Sequence, residues 1–174
     1  MKRSLATIPA GTGIFIDANI FLLTAWGKGS LGQQCHEFVA RVKQRDLKGY
    51  TSVSVVAEIT HRLMVYEARA QFPPVTVEYL QKHPDLVRKL SRHLMIASDI
   101  ARLNVDIRPV TVYDLHRAKD VRRDHGLMTN DSLIVGMMRG GKLRHLATFD
   151  NGFLPVSGIQ VWAPEEKTAS SPQP

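Results

Sequence analysis

Leu127-Met-Thr-Asn-Asp-Ser-Leu-Ile-Val-Gly-Met-Met138 is the stretch around which this 174-residue chain is organised. Polar residues come first, and an apolar run follows from Leu133. Asn is a preferred helix N-cap, so Asn130 is expected to begin a helix and to leave Asp131 in its first turn. Since few polar residues follow, we expect this helix to be buried, with the Asp131 carboxylate near its positive amino end.

Short apolar runs that end in polar residues predict the strands of a parallel sheet. Gly13–Asp17 is such a run, and it places Asp17 at the carboxyl end of a buried strand. Similar patterns predict four further strands, at Tyr50–Val53, Val105–Pro109, His145–Phe149 and Gly158–Trp162.

Helical patterns separate these strands. An amphipathic helix is expected over Leu31–Lys48 and to end at Gly49, and Ser54 is the expected cap of the next helix. Phe72–Val75 breaks that helix, and another is expected to end at Gly126. The alternation predicts one three-layer α/β/α domain over 1–163, with a mostly parallel sheet, a helical insertion at about 73–98 and a disordered tail over 164–174.

The composition points to an anionic partner in a reducing compartment. The net charge is +7 and the pI is near 9.8, which favours a polyanion such as RNA. The single cysteine, Cys35, allows no disulfide within the chain. We find no signal peptide and no apolar run long enough to cross a membrane, so a cytoplasmic protein without membrane contact is expected.

Four carboxylates are expected to converge although they lie far apart in the sequence. Asp17 and Asp150 end apolar strands, while Glu58 and Asp131 open apolar helices. In a parallel sheet, the carboxyl ends of strands and the amino ends of the following helices share one edge. A cluster of like charges is costly unless a cation neutralises it or some of the acids hold protons. Oxygen ligands of this kind suit Mg²⁺ or Mn²⁺, and no Cys pair or HExxH motif argues for zinc.

A divalent cation in a basic protein suggests the hydrolysis of phosphodiester bonds. The cation would activate a water and offset negative charge in the transition state, while Lys and Arg side chains bind flanking phosphates. Asn19 and Asn130 could orient ligands or the scissile phosphate. Thr148 points to the same sheet face as Asp150, so its hydroxyl could bond a carboxylate.

Four segments together resemble the PIN domain family, and within it the VapC-type toxins of toxin–antitoxin pairs. They are Phe15–Phe21, Ser54–Thr60, Thr129–Val135 and Thr148–Phe153, and the resemblance extends from about Thr12 to Val161. It implies a Mg²⁺- or Mn²⁺-dependent endoribonuclease that leaves a 5′-phosphate and a 3′-hydroxyl. It also implies a homodimer and a cognate antitoxin that inserts near the site.

The resemblance implies that four acidic residues carry out catalysis and bind the metal, and that three polar residues support them. The acids are Asp17, Glu58, Asp131 and Asp150, and the supporting residues are Asn19, Asn130 and Thr148.

Three other interpretations stay open at the level of sequence. The chain, longer than a minimal toxin through Pro73–Ser98, could be a PIN nuclease that is not a toxin, or a non-catalytic RNA-binding module. A haloacid-dehalogenase-like phosphatase would use Asp17 as its nucleophile. That chemistry needs a second Asp two residues later, where this chain has Asn19.

Overall fold

A computed structural model describes residues 1–165 and contains one parallel sheet within them. The strands are β1 (Arg3–Ser4), β2 (Gly13–Ile16), β3 (Lys48–Ser52), β4 (Asp106–Arg108), β5 (His145–Ala147) and β6 (Gln160–Ala163). Their order across the sheet is β1-β6-β5-β2-β3-β4, and every neighbouring pair is parallel. β2 is therefore central, and its carboxyl end lies between those of β5 and β3.

Helices flank this sheet and complete the expected α/β/α arrangement. They are α1 (Ala18–Trp26), α2 (Gly29–Lys43), α3 (Val53–Gln71), α4 (Val77–Lys82), α5 (Pro84–Val87), α6 (Ile96–Arg102), α7 (Val112–His125) and α8 (Thr129–Gly140). Single 3₁₀ turns occur at Leu5–Thr7 and Asn151–Phe153. Within residues 1–165, no helix has both the length and the apolar character that crossing a membrane requires.

The core forms around β2 and α8. Ile14, Phe15 and Ile16 are all buried, as expected for a central strand that is covered on both faces. α8 is buried from Ser132 to Met138, which confirms the expectation for this helix. A Cβ atom on Gly136 would lie 2.8 Å from the Asp114 carbonyl oxygen. Gly136 therefore allows α7 and α8 to pack with their backbones in close approach.

The boundaries of α2 and α3 differ from the sequence predictions. α2 ends at Lys43 rather than Lys48, because Arg45 adopts a positive φ of 63° and reverses the chain. Gly49 does not end the helix but lies within β3, where an added Cβ would come 2.6 Å from Val42. The cap of α3 is Ser52, whose hydroxyl accepts a hydrogen bond from the Val55 N–H at 3.2 Å. Ser54 lies inside the helix, and its hydroxyl forms a hydrogen bond with the Ser52 hydroxyl.

Edge strand β1 was not predicted from the sequence. It has only two residues, Arg3 and Ser4, which pair with Trp162 and Ala163 of β6. So short a segment carries no apolar alternation, and only the neighbouring strand defines it. The division into one domain, 1–163, and a tail stays a prediction, and the tail beyond Glu165 lies outside the described residues.

The insertion at about 73–98 consists of short helices and turns rather than one helical hairpin. It has a small core of its own against α3, formed by Ala68, Val75, Leu80 and Leu90. Next to this core, the buried carboxylate of Glu67 accepts hydrogen bonds from the backbone N–H groups of Ser91 and Arg92 at 3.0–3.2 Å. Burial alone would raise the pKa of Glu67, but these hydrogen bonds and the positive charges of Arg92 and His93 together lower the pKa.

We expect Glu67→Gln to destabilise the protein by about 1–3 kcal/mol at neutral pH, because charge-assisted bonds to two backbone donors are weakened. Since the folded-state pKa is depressed, this stabilisation is lost as the pH falls and Glu67 takes up a proton, so the difference should shrink at low pH. Urea unfolding followed by circular dichroism measures it. Glu78→Gln is the control, because its exposed pair with Lys82 should be worth about 0.5 kcal/mol or less. Equal losses in both variants would contradict an anchoring role for Glu67.

Candidate active site

Asp17 lies at the carboxyl end of β2 and caps the amino end of α1. Its backbone N–H donates to the Ala147 carbonyl at 3.0 Å, which continues the pairing of β2 with β5. Its side chain accepts a hydrogen bond from the Ala18 N–H at 2.6 Å. The residue is only 8% exposed, so the fold places a carboxylate in a largely dry position at the sheet edge.

Thr148 and Asn19 hold the second oxygen of Asp17. The Thr148 hydroxyl and the Asn19 amide each donate to Asp17 Oδ2 at 2.7 Å. The Asn19 amide also donates to the Thr148 hydroxyl at 2.9 Å, while its carbonyl accepts from the Phe149 N–H at 3.0 Å. The bond from Thr148 to a carboxylate that the sequence suggested is therefore present, and Asp17 is the partner.

Glu58 lies in the second turn of α3 and faces the amino end of α8. Its Oε1 forms an ion pair with Arg62 at 2.7 Å, one helical turn away. Its Oε2 lies 3.5 Å from the Asn130 amide, a long contact that connects α3 to α8. Asn130 is not the N-cap that we predicted. α8 begins one residue earlier, at Thr129, with Met128 in the cap position, so Asn130 is in the first turn and its side chain turns toward Glu58.

Asp131 and Asp150 complete the acidic edge. Asp131 occupies the first turn of α8 and is half-buried. Burial raises its pKa most, followed by the negative charges of Asp150 and Glu58, while Arg62 partly offsets them. Asp150 begins the 3₁₀ turn after β5, and its side chain accepts from the Gly152 N–H at 2.7 Å.

The four carboxylates influence one another electrostatically. Burial is the main cause that raises the pKa of Asp17 to about 6, and the charges of Glu58 and Asp131 raise it further against the lowering effect of its hydrogen bonds. Asp131 in turn senses Asp150 and Glu58. The sequence led us to expect that some acids of such a cluster would hold protons near neutral pH. The pKa values of Asp17 and Asp131 are raised in that direction, with burial as the larger cause and the neighbouring carboxylates as the smaller one.

The donor chemistry of this edge fits a hard divalent cation. All four side chains offer carboxylate oxygens, and a cation would relieve the repulsion that raises the pKa of Asp17 and Asp131. Within residues 1–165, no group of three or more acidic, His or Cys side chains is placed so that it could hold a metal ion. Mg²⁺ tolerates such an arrangement, because it usually keeps several waters and binds only one or two carboxylates directly.

Sequence reasoning missed Arg62 and the cavity beside it. A cavity of about 310 Å³ lies next to Asp17 and is lined mainly by Asn19, Leu22, Leu23, Trp26, Arg62 and Phe149. The signal for Arg62 was its position four residues after Glu58, a spacing that pairs opposite charges on a helix. The cavity could not be read from the sequence, because its walls come from three separate segments.

The basic cluster of α7 is largely engaged within the protein. Arg117 pairs with Asp114, and Arg123 pairs with Asp120 and Asp124. Arg122 donates to the Ser132 hydroxyl at 3.1 Å. These contacts engage the arginines within α7 and α8, so they argue against a surface dedicated to RNA at this helix.

Comparison with known proteins agrees with this fold. The sequence model of the PIN domain matches residues 14–158. A curated relative, Ribonuclease VapC2 of Methanocaldococcus jannaschii, is 20% identical over 152 residues, which are 85% of this chain and 91% of the relative.

Two solved structures share the fold. A toxin–antitoxin complex from Klebsiella pneumoniae matches with a TM-score of 0.54 and 16% identity, over 88% of this chain and 98% of that chain. VapC20 of Mycobacterium tuberculosis, a sarcin–ricin loop cleaving toxin, matches with a TM-score of 0.54 and 16% identity, over 84% of this chain and 98% of its own.

We expect Asp17→Asn to change how stability depends on pH. The folded-state pKa of Asp17 is about 6, above the ordinary value of 3.8, so the folded protein binds more protons here than the unfolded chain does between these values. The contribution of Asp17 to stability therefore falls as the pH rises from about 4 to 7, by about 2–3 kcal/mol. The variant should gain that amount relative to wild type over the same range, as measured by urea unfolding in EDTA.

The exposed Asp85 supplies the control for this measurement. Asp85→Asn should differ from wild type by the same small amount at pH 4.5 and at pH 7.5. A difference between Asp17→Asn and wild type that stays constant with pH would mean that the Asp17 pKa is not raised.

Proposed function

This chain belongs to the PIN domain family, and we propose that it is an endoribonuclease that works with Mg²⁺ or Mn²⁺ bound by Asp17, Glu58, Asp131 and Asp150. The observation that carries the proposal is the placement of these four carboxylates along one sheet edge, where burial and then their mutual repulsion raise the pKa of Asp17 and Asp131. The similarity to Ribonuclease VapC2 supports RNA as the substrate. The net charge of +7 favours the same polyanion.

The chain's own residues would divide the work in a definite way. A bound divalent cation supplies a water of lowered pKa and positive charge beside the scissile phosphate. Asp17 presents a carboxylate whose orientation is fixed by Ala18, Asn19 and Thr148, so little reorganisation is needed on binding. Asp131, at the amino end of α8, takes part as a ligand, and Asn130 lies close enough to orient a ligand or the phosphate.

We further propose that the protein is the toxin of a toxin–antitoxin pair, acts in the cytoplasm as a homodimer and is restrained by a cognate antitoxin. The toxin–antitoxin complexes among the structures of the same fold, including VapBC2 of Rickettsia felis, support this assignment. A phosphatase that uses Asp17 as its nucleophile is less well supported. The residue two positions later is Asn19, whose amide donates to Asp17 and so offers no proton for acid catalysis.

Purified protein should cleave single-stranded RNA with Mg²⁺ or Mn²⁺, leave 5′-phosphate ends and lose activity in EDTA. Asp17→Asn and Asp131→Asn should each lower the rate by on the order of 100-fold or more, because each removes a charge at the reacting centre. Gel analysis of end-labelled RNA measures this, with Asp85→Asn as a control that keeps the wild-type rate. Equal cleavage by wild type and Asp17→Asn would refute the assignment.

Expression of the wild-type chain in bacteria should arrest growth, and Asp17→Asn should not. Co-expression of the protein encoded by a small adjacent reading frame should restore growth, because an antitoxin would bind the toxin and inhibit it. Colony counts after induction measure both effects. Active ribonuclease without growth arrest would instead identify a PIN nuclease that is not a toxin.

A further inference from the structure

The cavity lined by Trp26, Arg62 and Phe149 opens directly beside the acidic edge. Asn19 forms part of its wall and also donates to Asp17 Oδ2, so cavity and carboxylate share one side chain. Phe149 forms another part, and its N–H donates to the Asn19 carbonyl. A polymer whose phosphate lies at Asp17 would therefore place an adjacent unit at this cavity.

The walls of the cavity combine aromatic rings, aliphatic side chains and one guanidinium. Leu22 and Leu23 supply apolar surface, and Trp26 and Phe149 supply rings. Trp26 is held in place by stacking on Tyr66, with ring centroids 4.4 Å apart and an angle of 19° between the planes. A ring fixed before binding loses little entropy when it stacks on a ligand.

Arg62 provides the charge that complements a nucleic acid. The Arg62 side chain is 55% exposed and its guanidinium pairs with Glu58 at 2.7 Å, so it lies between the cavity and the acids. An incoming phosphate would offer this guanidinium a second anionic partner. The Lys2 ammonium lies 4.7 Å from the centre of the Phe149 ring, which adds positive charge beside this side chain.

We propose that this cavity is a nucleotide subsite that binds the base next to the scissile phosphate. Trp26 and Phe149 form the surfaces against which the base packs, and Arg62 contacts the phosphate of the same nucleotide. The proposal deepens the ribonuclease function and rests on it. A volume of about 310 Å³ is at the lower end for small-ligand sites and suits one base, whereas a packed helix about 10 Å wide would require a longer groove.

The test measures binding without cleavage, so that it stands apart from activity. Hexaribonucleotides of A, U, C or G are titrated into wild type in EDTA, together with an abasic hexamer that keeps the phosphates and lacks the bases. Tryptophan fluorescence reports binding, because Trp26 lines the cavity and Trp162 is buried and bonded to His145. Gels of the same samples verify that the RNA stays intact.

We expect at least one hexaribonucleotide to quench Trp26 and to bind about 5- to 100-fold more tightly than the abasic strand. Phe149→Leu should lose most of this preference for bases, as should Trp26→Leu followed by fluorescence anisotropy of labelled RNA. Arg62→Gln should weaken both strands equally and lower the salt dependence by about one ion. Tyr113→Leu is the control, because Tyr113 is 74% exposed on α7 and does not line the cavity.

Equal affinity for the base-containing and abasic strands would overturn the subsite, and so would an unchanged preference in both Trp26→Leu and Phe149→Leu. Quenching by an antitoxin peptide but by none of the hexamers would overturn it as well, and would make the cavity a protein-docking site. Base-dependent binding without any cleavage in Mg²⁺ or Mn²⁺ would support the subsite and refute the ribonuclease assignment, so the two failures can be told apart.

Discussion

The carboxylate of Asp17 is held by donors from different parts of the chain while it is almost shut off from solvent. Ala18 belongs to the helix after β2, and Thr148 follows β5, whose residues come late in the sequence. Its burial is unfavourable for a negative charge, so the hydrogen bonds offset the desolvation only in part and the pKa stays near 6. The position of α1, the end of β5 and the polar side chains around them all depend on this arrangement.

Sequence patterns predicted the parts of the fold that apolar periodicity controls. The parallel sheet, the burial of α8 and the positions of Asp17 and Asp150 after strands all followed from short apolar runs. The patterns failed where a single backbone conformation or a neighbouring strand determines where an element ends or whether it forms. The positive φ at Arg45 ended α2 early, and β1 exists because β6 offers it a partner. Candidate acids could be named, but Arg62 and the cavity depend on packing between α1 and α3 that no local pattern encodes.

The protein carries an excess of positive charge, whereas its candidate site is negative. Nearby ion pairs balance the opposite charges locally. Arg62 forms an ion pair with Glu58 and so reduces the repulsion among the acids. Arg117 and Arg123 form ion pairs with aspartates on α7. Each of these ion pairs cancels in the net charge, so the excess of +7 comes from other Lys and Arg residues. The arginine that matters most for the proposed chemistry belongs to α3, outside the basic runs that stand out in the sequence.

The strand order has a consequence for the time at which the protein becomes active during translation. β2 leaves the ribosome early, yet one of its two neighbours, β5, and the edge that β1 requires, β6, are made near the end. Thr148 and Asp150 also emerge late, so a nascent chain lacks both the completed sheet and two of the seven residues of the candidate site. Pairings between such distant segments form slowly. Any activity that depends on these residues is thereby withheld until synthesis of the whole domain is finished.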